Sequence, residues 1–244
     1  MKRLDDILGY KDLKIFQDSD FFSFSLDSVV LANYCNIRLR DKKIVDFCCG
    51  NGVVSMIVSK RCNALIDAVE IQEKLYDLAC ESIKYNNLDN RINVYCEDIK
   101  DFSYNPNNNS QYDLVLCNPP YFVDNDNSSK NLSYEKMIAR HEILINLDDL
   151  CKYSNLVLKD KGNLCIVHRT DRLMDIISSF RKHNIEPKRI KFIHENINKE
   201  STLVLVEGQK LGSVGLKVDN PLILFDENGN FTKEYNDLQL EVRK

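Results

Sequence analysis

The chain has 244 residues, of which 43% are hydrophobic, so it can form one large domain with a sizeable core. Its formal net charge of −4 excludes a broadly basic nucleic-acid binder, although a local basic patch remains possible. No apolar run reaches the roughly 18 residues of a membrane span, and the charged start is unlike a signal peptide, so we expect a cytoplasmic protein with no membrane contact.

Nine cysteines raise the question of disulfides or a zinc site. No two of them form a Cys-x-x-Cys pair, and Cys96, Cys117 and Cys165 each lie in an apolar run typical of a strand. We therefore expect reduced, mostly buried thiols that pack as small hydrophobic groups, and no metal site.

The first elements in chain order form an extension over residues 1–43. The stretch "LKIFQDSDFFSFS" (13–25) predicts a hairpin or an extended segment. A helix is predicted from Asp27, whose carboxylate could cap it, to about Leu39. This extension precedes the regular part of the chain.

After the extension, short apolar runs alternate with segments of helical periodicity. The predicted strands are 43–49, 64–70, 91–97, 112–118, 162–168, 188–194 and 201–207. The predicted helices are 52–61, 72–87, 147–159 and 171–183. This alternation predicts a parallel sheet with helical crossovers, and the short link between the last two strands allows them to pair antiparallel.

The whole chain is expected to be one domain. A core over 44–210 follows the N-terminal extension, and a C-terminal hairpin or tail covers 211–244. Two polar stretches, 103–111 and 123–133, predict loops, and the second could close over a site as a lid.

Polar groups stand at the ends of the predicted strands, where an open α/β sheet binds its ligands. The first strand ends in "DFCCGNG", in which Asp46 lies at the strand edge and Gly50 and Gly52 permit a tight turn close to a ligand. The second strand ends in Glu70, which can accept hydrogen bonds from both hydroxyls of a ribose. This pattern favours a cofactor that contains adenosine.

Two further observations narrow the choice of cofactor. Position 55 is Ser, so the third glycine of a dinucleotide-binding Gly-x-Gly-x-x-Gly turn is absent, and NAD is disfavoured. The third strand ends in "CEDIK", where Asp98 could accept a hydrogen bond from an adenine amine while the Ile99 backbone reads the ring edge. Such groups on three consecutive strands favour a binding site over carboxylates that merely cap turns.

The fourth strand ends in Asn-Pro-Pro-Tyr. Pro119 and Pro120 each restrict the residue before them, so the turn is rigid and Asn118 is held extended. The Asn118 side-chain oxygen and the Pro119 carbonyl can accept hydrogen bonds from an amine, which localises its nitrogen lone pair. Tyr121 offers a flat ring for stacking. The motif predicts a planar substrate with an NH₂ group, and the alternative is a rigid turn that only ends a strand.

With these motifs in order, the chain resembles the class I S-adenosylmethionine-dependent methyltransferases that carry Asn-Pro-Pro-(Tyr/Phe). The resemblance implies a Rossmann-like α/β fold, a seven-stranded, mostly parallel sheet with its last strand antiparallel, and helices on both faces. It implies methyl transfer from the sulfonium to a nitrogen, without a metal. The residues implied for cofactor binding are Phe24, Asp27, Asp46, Cys48, Gly50, Gly52, Glu70, Ile71, Asp98, Ile99 and Asn118. Cys48 stands where the family has the first glycine of its loop, so we expect the loop to approach the cofactor differently.

Several substrates suit this motif: adenine N6 in DNA or RNA, guanine N2 in ribosomal RNA, and glutamine in release factors. DNA enzymes usually carry a target-recognition domain, and glutamine enzymes a helical N-terminal domain larger than this extension. The segments "FSFSLDSVVLANY", "DFCCGNG", "NPPYF", "ARHE" and "LVEGQK" are similar to bacterial tRNA adenine-N6-methyltransferases that modify adenine 37, beside the anticodon of a valine tRNA. In such relatives the N-terminal segment lies against the cofactor, which implies Phe24 and Asp27 near its methionine end. Asp27 could equally well be a helix cap with no role in cofactor binding.

An RNA substrate needs positive groups beside the pocket. The predicted phosphate contacts are Arg140, His141, Arg169, Arg172, Lys188, Arg189 and Lys191. Arg169 and Arg172 follow the carboxyl end of a strand, whereas the last three could be only a solvated face. Two other functions stay open: methylation of guanine N2 in ribosomal RNA, and a non-catalytic factor that binds the cofactor and RNA. We expect a monomer.

Overall fold

The computed structural model describes residues 1–19, 24–120 and 145–240. The strands in these ranges are β1 (Lys2–Ile7), β2 (Tyr10–Asp18), β3 (Lys43–Phe47), β4 (Leu65–Glu70), β5 (Ile92–Cys96), β6 (Tyr112–Cys117), β7 (Leu158–Arg169), β8 (Ile185–His194), β9 (Ser201–Lys210), β10 (Lys217–Val218) and β11 (Leu222–Ile223). The helices are α1 (Leu26–Tyr34), α2 (Val53–Ser59), α3 (Glu73–Tyr85), α4 (Ile99–Tyr104), α5 (Leu147–Val157), α6 (Leu173–Lys182) and α7 (Lys233–Leu240).

The large sheet has nine strands in the order β10-β8-β9-β7-β6-β3-β4-β5, with β11 also paired to β8. Strands β3, β4, β5, β6 and β7 pair in parallel, and β9 runs antiparallel between β7 and β8. The predicted Rossmann-like sheet with an antiparallel last long strand is therefore confirmed. The strand order reverses between β3 and β6, so their carboxyl ends lie side by side with Phe47 opposite Cys117.

Each face of the sheet is covered by its own hydrophobic core, because successive strand residues point to opposite faces. Ile44 and Leu114 belong to the core under α1, α2 and α3. Val45 and Val115 belong to the core under α4, α5 and α6. These central strands are buried on both faces, which explains why the sequence shows them as nearly continuous apolar runs.

The N-terminal extension folds as a hairpin of β1 and β2 that packs beside the large sheet. The Phe16 backbone N–H donates to Ser82 Oγ at 2.9 Å, and the Lys14 N–H donates to Asn86 Oδ1 at 3.0 Å, so β2 is fastened to α3. No helix in the described ranges combines the length and apolar character that crossing a membrane requires.

The structure corrects several predicted boundaries. The hairpin turns earlier than predicted, at Gly9, which has φ +83°. Helix α1 begins at Leu26, with Ser25 rather than Asp27 at its cap position, and it ends at Tyr34 because Cys35 leaves the helical region. Two elements were not predicted as helices: α4, after β5, and α7, in the predicted polar tail.

Candidate active site at the carboxyl ends of the central strands

The loop after β3 passes through the left-handed region at three residues. Cys48 has φ +56°, Gly50 has φ +57° and Gly52 has φ +84°. Glycine adopts this region without steric cost, whereas a side chain there costs about 1–2 kcal/mol. Cys48 thus takes the backbone conformation that a glycine would favour, and the loop carries one strained residue.

Glu70, at the end of β4, holds the loop from the neighbouring strand. Its Oε2 accepts a hydrogen bond from Gly50 N at 2.9 Å, and its Oε1 accepts one from Gln72 N at 2.9 Å. Burial raises the pKa of this carboxyl group, and the backbone hydrogen bonds counter that rise. A Cβ atom placed on Gly50 would meet no atom within 4 Å, so open space adjoins the loop at this point.

Asp46 fastens the loop from the other side. Its Oδ2 accepts hydrogen bonds from Ser55 N at 3.1 Å and from Ser55 Oγ at 2.7 Å. Burial raises the Asp46 pKa to about 7, and the nearby Glu70 charge adds to the rise. The serine that replaces a third glycine therefore has a function of its own, because its hydroxyl satisfies a buried carboxylate. The contact of Asp46 with a cofactor stays a prediction.

The end of β5 supplies Asp98 and Ile99. Asp98 is the N-cap of α4, and its Oδ1 accepts a hydrogen bond from Lys100 N at 2.7 Å. The capping role that the sequence offered as the alternative is thus present in the structure. Ile99 is buried, whereas Ile71, directly after Glu70, is 42% exposed. An exposed aliphatic side chain beside the loop suits the flat face of a nucleobase.

Asn118 follows β6 directly, next to the loop that ends β3. Its Nδ2 donates a hydrogen bond to the hydroxyl oxygen of Ser28 in α1 at 2.8 Å. Ser28 is 6% exposed. Asn118 itself is half-buried, Pro119 is buried and Pro120 is half-buried. The other predicted residues of this region, Tyr121, Arg140 and His141, and the predicted lid over 123–133 lie outside the described residues.

The start of α1 reaches the same edge of the sheet. Phe24 N donates to Gln17 Oε1 at 3.0 Å, which ties the approach of α1 to the hairpin. Asp27 lies in the first turn of α1, and burial raises its pKa. The adjacent Ser28 contacts Asn118, so the start of α1 lies beside the end of β6. The contact of Phe24 and Asp27 with the cofactor stays a prediction.

The predicted phosphate contacts at the end of β7 are ion-paired. Arg169 pairs with Asp171, and Arg172 Nε lies 2.7 Å from Asp175 Oδ2. These local pairs are exposed, so each contributes little to stability and phosphate can compete for the cations. Both arginines stay predicted RNA contacts.

The basic run on β8 is engaged within the protein. Arg189 lies between Asp219, at 3.0 Å, and Glu207, at 3.7 Å, with its guanidinium 4.4 Å from the Tyr34 ring centre. Lys191 Nζ pairs with Glu234 at 3.0 Å. Lys188 Nζ donates to the Ser213 carbonyl at 3.0 Å. The contacts of these three residues with phosphate stay predictions, and Arg189 also ties β8 to β9 and to the C-terminal segment.

Ser28 could not be recognised as a site residue from the sequence. It follows Asp27 in a predicted helix, and no local pattern distinguishes it from other helical serines. In the described part of the chain, no three His, Cys, Asp or Glu side chains are grouped so that they could hold a metal ion. The assembled site therefore consists of two hydrogen-bonded carboxylates, a glycine loop beside open space, and a hydrogen-bonded amide.

The comparison with protein families agrees with this geometry. Residues 15–193 match the family described as Methyltransferase small domain. The chain belongs to this family. The match runs from the N-terminal hairpin through β8, so it includes the loop after β3, Glu70 and Asn118.

Among curated relatives of this methyltransferase, the tRNA1(Val) (adenine(37)-N6)-methyltransferase of Parabacteroides distasonis is 29% identical over 180 residues. The alignment covers 74% of this chain and 73% of that protein. Among solved structures, a predicted O-methyltransferase from Agrobacterium tumefaciens superposes with a TM-score of 0.70 at 20% identity, covering 88% of this chain and 96% of that chain. TYW2 of M. jannaschii in complex with AdoMet has a TM-score of 0.58 at 15% identity and covers 85% of each chain. These structural likenesses confirm the class I methyltransferase fold.

Proposed function

We propose that the protein transfers a methyl group from S-adenosylmethionine to the exocyclic N6 of adenine 37, beside the anticodon of a valine tRNA, in the cytoplasm. The observation that carries this proposal is the position of the Asn118 amide, which is hydrogen-bonded to Ser28 at the strand end beside the glycine loop. An amide and a proline carbonyl at that place suit an exocyclic amine. The names of the curated relatives, of which one covers 94% of this chain, support the choice of RNA and position.

The loop and its neighbours fit the cofactor. The Glu70 carboxylate lies at the strand end where it would meet the ribose hydroxyls, and the open space beside Gly50 leaves room for the ligand to approach the loop backbone. Asp98 and Ile99 would bind the adenine edge, and Ile71 would cover its face. Asp46 and Glu70 are buried acids, and their charge favours a cationic ligand with a sulfonium and an ammonium group. When bound, the cofactor supplies an electrophilic methyl group.

The residues after β6 prepare the nucleophile. The lone pair of an exocyclic adenine amine is delocalised into the ring, so the amine is a poor nucleophile. The Asn118 Oδ1 and the Pro119 carbonyl accept hydrogen bonds from its two N–H groups, which localises the lone pair toward the methyl group. Tyr121 stacks on the flipped base. The N–CH₃ bond would form as the S–CH₃ bond of the cofactor breaks, and the methylated amine would lose one proton to solvent.

Product analysis tests this proposal directly. The protein is incubated with radiolabelled S-adenosylmethionine and unmodified bulk tRNA, and the digested nucleosides are separated by chromatography. We expect N6-methyladenosine as the labelled nucleoside. Labelled N2-methylguanosine, or no labelled nucleoside from tRNA, would contradict the proposal. Arg169→Ala is expected to raise the KM for tRNA and to reduce the salt dependence of binding, because one phosphate contact is lost.

A further inference from the structure

We infer that a cleft at the carboxyl end of β8 binds an unpaired, amine-bearing nucleobase of the same RNA that carries the target adenine. The inference rests on the proposed function, because it adds a second base-binding site for the proposed RNA substrate. The cleft has a volume of about 680 Å³, within the range of roughly 300–1,000 Å³ that is typical of small-ligand sites. Phe225 and Ile197 contribute apolar groups to its lining, and Asn198, Asp226 and Glu227 contribute polar groups.

The cleft is built at the same edge of the sheet as the candidate active site. Strands β7 and β8 both pair antiparallel with β9, so they run in the same direction and their carboxyl ends lie at one edge with that of β6. Three inter-strand spacings, about 14 Å, separate the end of β6 from the end of β8. Arg169 lies between them, paired with Leu203 of β9, which is in turn paired with Ile193 of β8. One RNA strand can therefore reach both places across the predicted phosphate contacts.

Phe225 is the end ring of a stack of three aromatic side chains. Its ring centroid lies 4.8 Å from that of Phe231 at an interplanar angle of 26°, and Phe231 lies 4.6 Å from Tyr235 at 25°. A backbone bridge between Phe225 and Phe231 fixes the first pair. Tyr235 is 1% exposed, whereas Phe225 is half-buried and lines the cleft. Such a stack is a rigid platform on which a further planar ring can stack.

The other groups of the cleft suit a base and disfavour a phosphate. Ile197 is 65% exposed and adds an aliphatic surface that a flat ring can contact. Asp226 and Glu227 are carboxylates, which repel a phosphate and accept hydrogen bonds. Adenine, cytosine and guanine each carry an exocyclic amine that can donate to such acceptors, whereas uracil has none. We therefore expect an amine-bearing base in the cleft and the adjoining phosphates at Arg169 and Arg172.

Tryptophan fluorescence tests this inference, because the chain has no tryptophan of its own. Phe225→Trp places one at the cleft, where a stacked base quenches its emission. Phe192→Trp is the matched control, since Phe192 is also half-buried but lies in β8 and packs against the core under α4, α5 and α6. Unmodified tRNA should quench Phe225→Trp at least about twofold and leave Phe192→Trp within about 10%. Oligocytidylate, which contains no adenine, should quench Phe225→Trp more strongly than oligouridylate.

Steady-state kinetics of Phe225→Leu separates base binding from chemistry. Loss of one stacking contact should raise the KM for tRNA about tenfold, while kcat at saturating tRNA and the affinity for S-adenosylmethionine stay within about twofold. Phe192→Leu should match the wild type. The cofactor affinity reports whether each variant is folded, and the fluorescence of Phe225→Trp decides the question if Phe225→Leu does not fold.

Three results would contradict the inference. Unchanged fluorescence of Phe225→Trp at saturating RNA, or an equal rise of KM in both leucine variants, would overturn the cleft as a base site. Equal quenching by oligocytidylate and oligouridylate would overturn the choice of an amine-bearing base. The nucleoside that the wild type labels judges the proposed function separately, because quenching by oligocytidylate requires no methyl transfer.

Discussion

The ends of β3 and β6 lie on adjacent parallel strands, yet they hold their functional groups by different means. At β3, the loop is fastened by Asp46 and Glu70, which come from the sheet itself. At β6, the Asn118 amide is held by a hydroxyl from α1, 90 residues earlier in the chain. The loop that is proposed to bind the cofactor is therefore held by residues of the sheet, whereas the amide that is proposed to bind the substrate is held by the N-terminal extension. Substitutions beside the loop after β3 should therefore weaken cofactor binding, whereas substitutions after β6 should lower kcat.

The largest effect is expected at the end of β6. Asn118→Ala removes one of two acceptors for the target amine and should lower kcat about 100-fold or more, with the affinity for S-adenosylmethionine within a few-fold. Steady-state kinetics and calorimetric titration with the cofactor measure the two quantities. Asn107→Ala, at an exposed turn, is the control. Retention of activity in Asn118→Ala would disprove the role of the motif.

The second effect concerns the end of β4. Glu70→Ala removes the acceptor for Gly50 N and for the ribose hydroxyls, so cofactor binding should weaken by about tenfold or more. The value of kcat at saturating cofactor should fall much less. Titration calorimetry with S-adenosylmethionine measures the affinity, and Glu73→Ala, exposed on α3, is the control. A loss confined to kcat would show that Glu70 acts on the substrate and not on the cofactor, which would contradict the difference between the two strand ends.

The third effect is the pH dependence of stability. Burial raises the Asp46 pKa to about 7. Between about pH 4 and pH 7 this carboxyl group is therefore ionised in the unfolded chain and protonated in the folded chain. The group therefore lowers the free energy of unfolding as pH rises from about 4 to about 7, by roughly 3 to 4 kcal/mol for a pKa that rises from its ordinary value near 4 to about 7. Asp46→Asn should flatten this decline in urea denaturation at pH 5 and pH 8, whereas Asp89→Asn, exposed, should not. An unchanged decline in Asp46→Asn would refute the assignment.

The smallest effect is at Cys48. Replacement by glycine relieves the left-handed strain at φ +56° and should raise the free energy of unfolding by about 1 kcal/mol. Cys62→Gly is the control, because Cys62 has no positive φ and should lose stability through added chain entropy. Thermal and urea denaturation measure both variants. A destabilised Cys48→Gly would show that sulfur packing outweighs the backbone strain.

Most of the central fold could be predicted from the sequence, because buried parallel strands give continuous apolar runs and crossover helices give a clear period. The family and fold predicted from the strand ends are confirmed. Helix α4 was missed because its six residues are too few to show a helical period. The turn at Gly9 was missed because the flanking strands are rich in charged residues, which weakens the apolar signal of a strand.

The site could be predicted only in part. Glu70 and Asn118 stand at strand ends, and a strand end can be read from the local sequence. Ser28 could not be found in this way, because its role depends on a contact with a residue 90 positions away, which periodicity does not encode. Likewise, Arg189 resembles a phosphate contact in a basic run, although carboxylates from β9 and from the C-terminal segment engage it. Tertiary partners decide the role of such residues.

The central claim is methylation of one adenine in one tRNA. Its most direct test compares two transcripts of a valine tRNA, one with adenine at position 37 and one with guanine there, using labelled S-adenosylmethionine. We expect one methyl group per molecule in the adenine transcript, recovered as N6-methyladenosine, and none in the guanine transcript. Equal labelling of both transcripts, or label in N2-methylguanosine, would contradict the account.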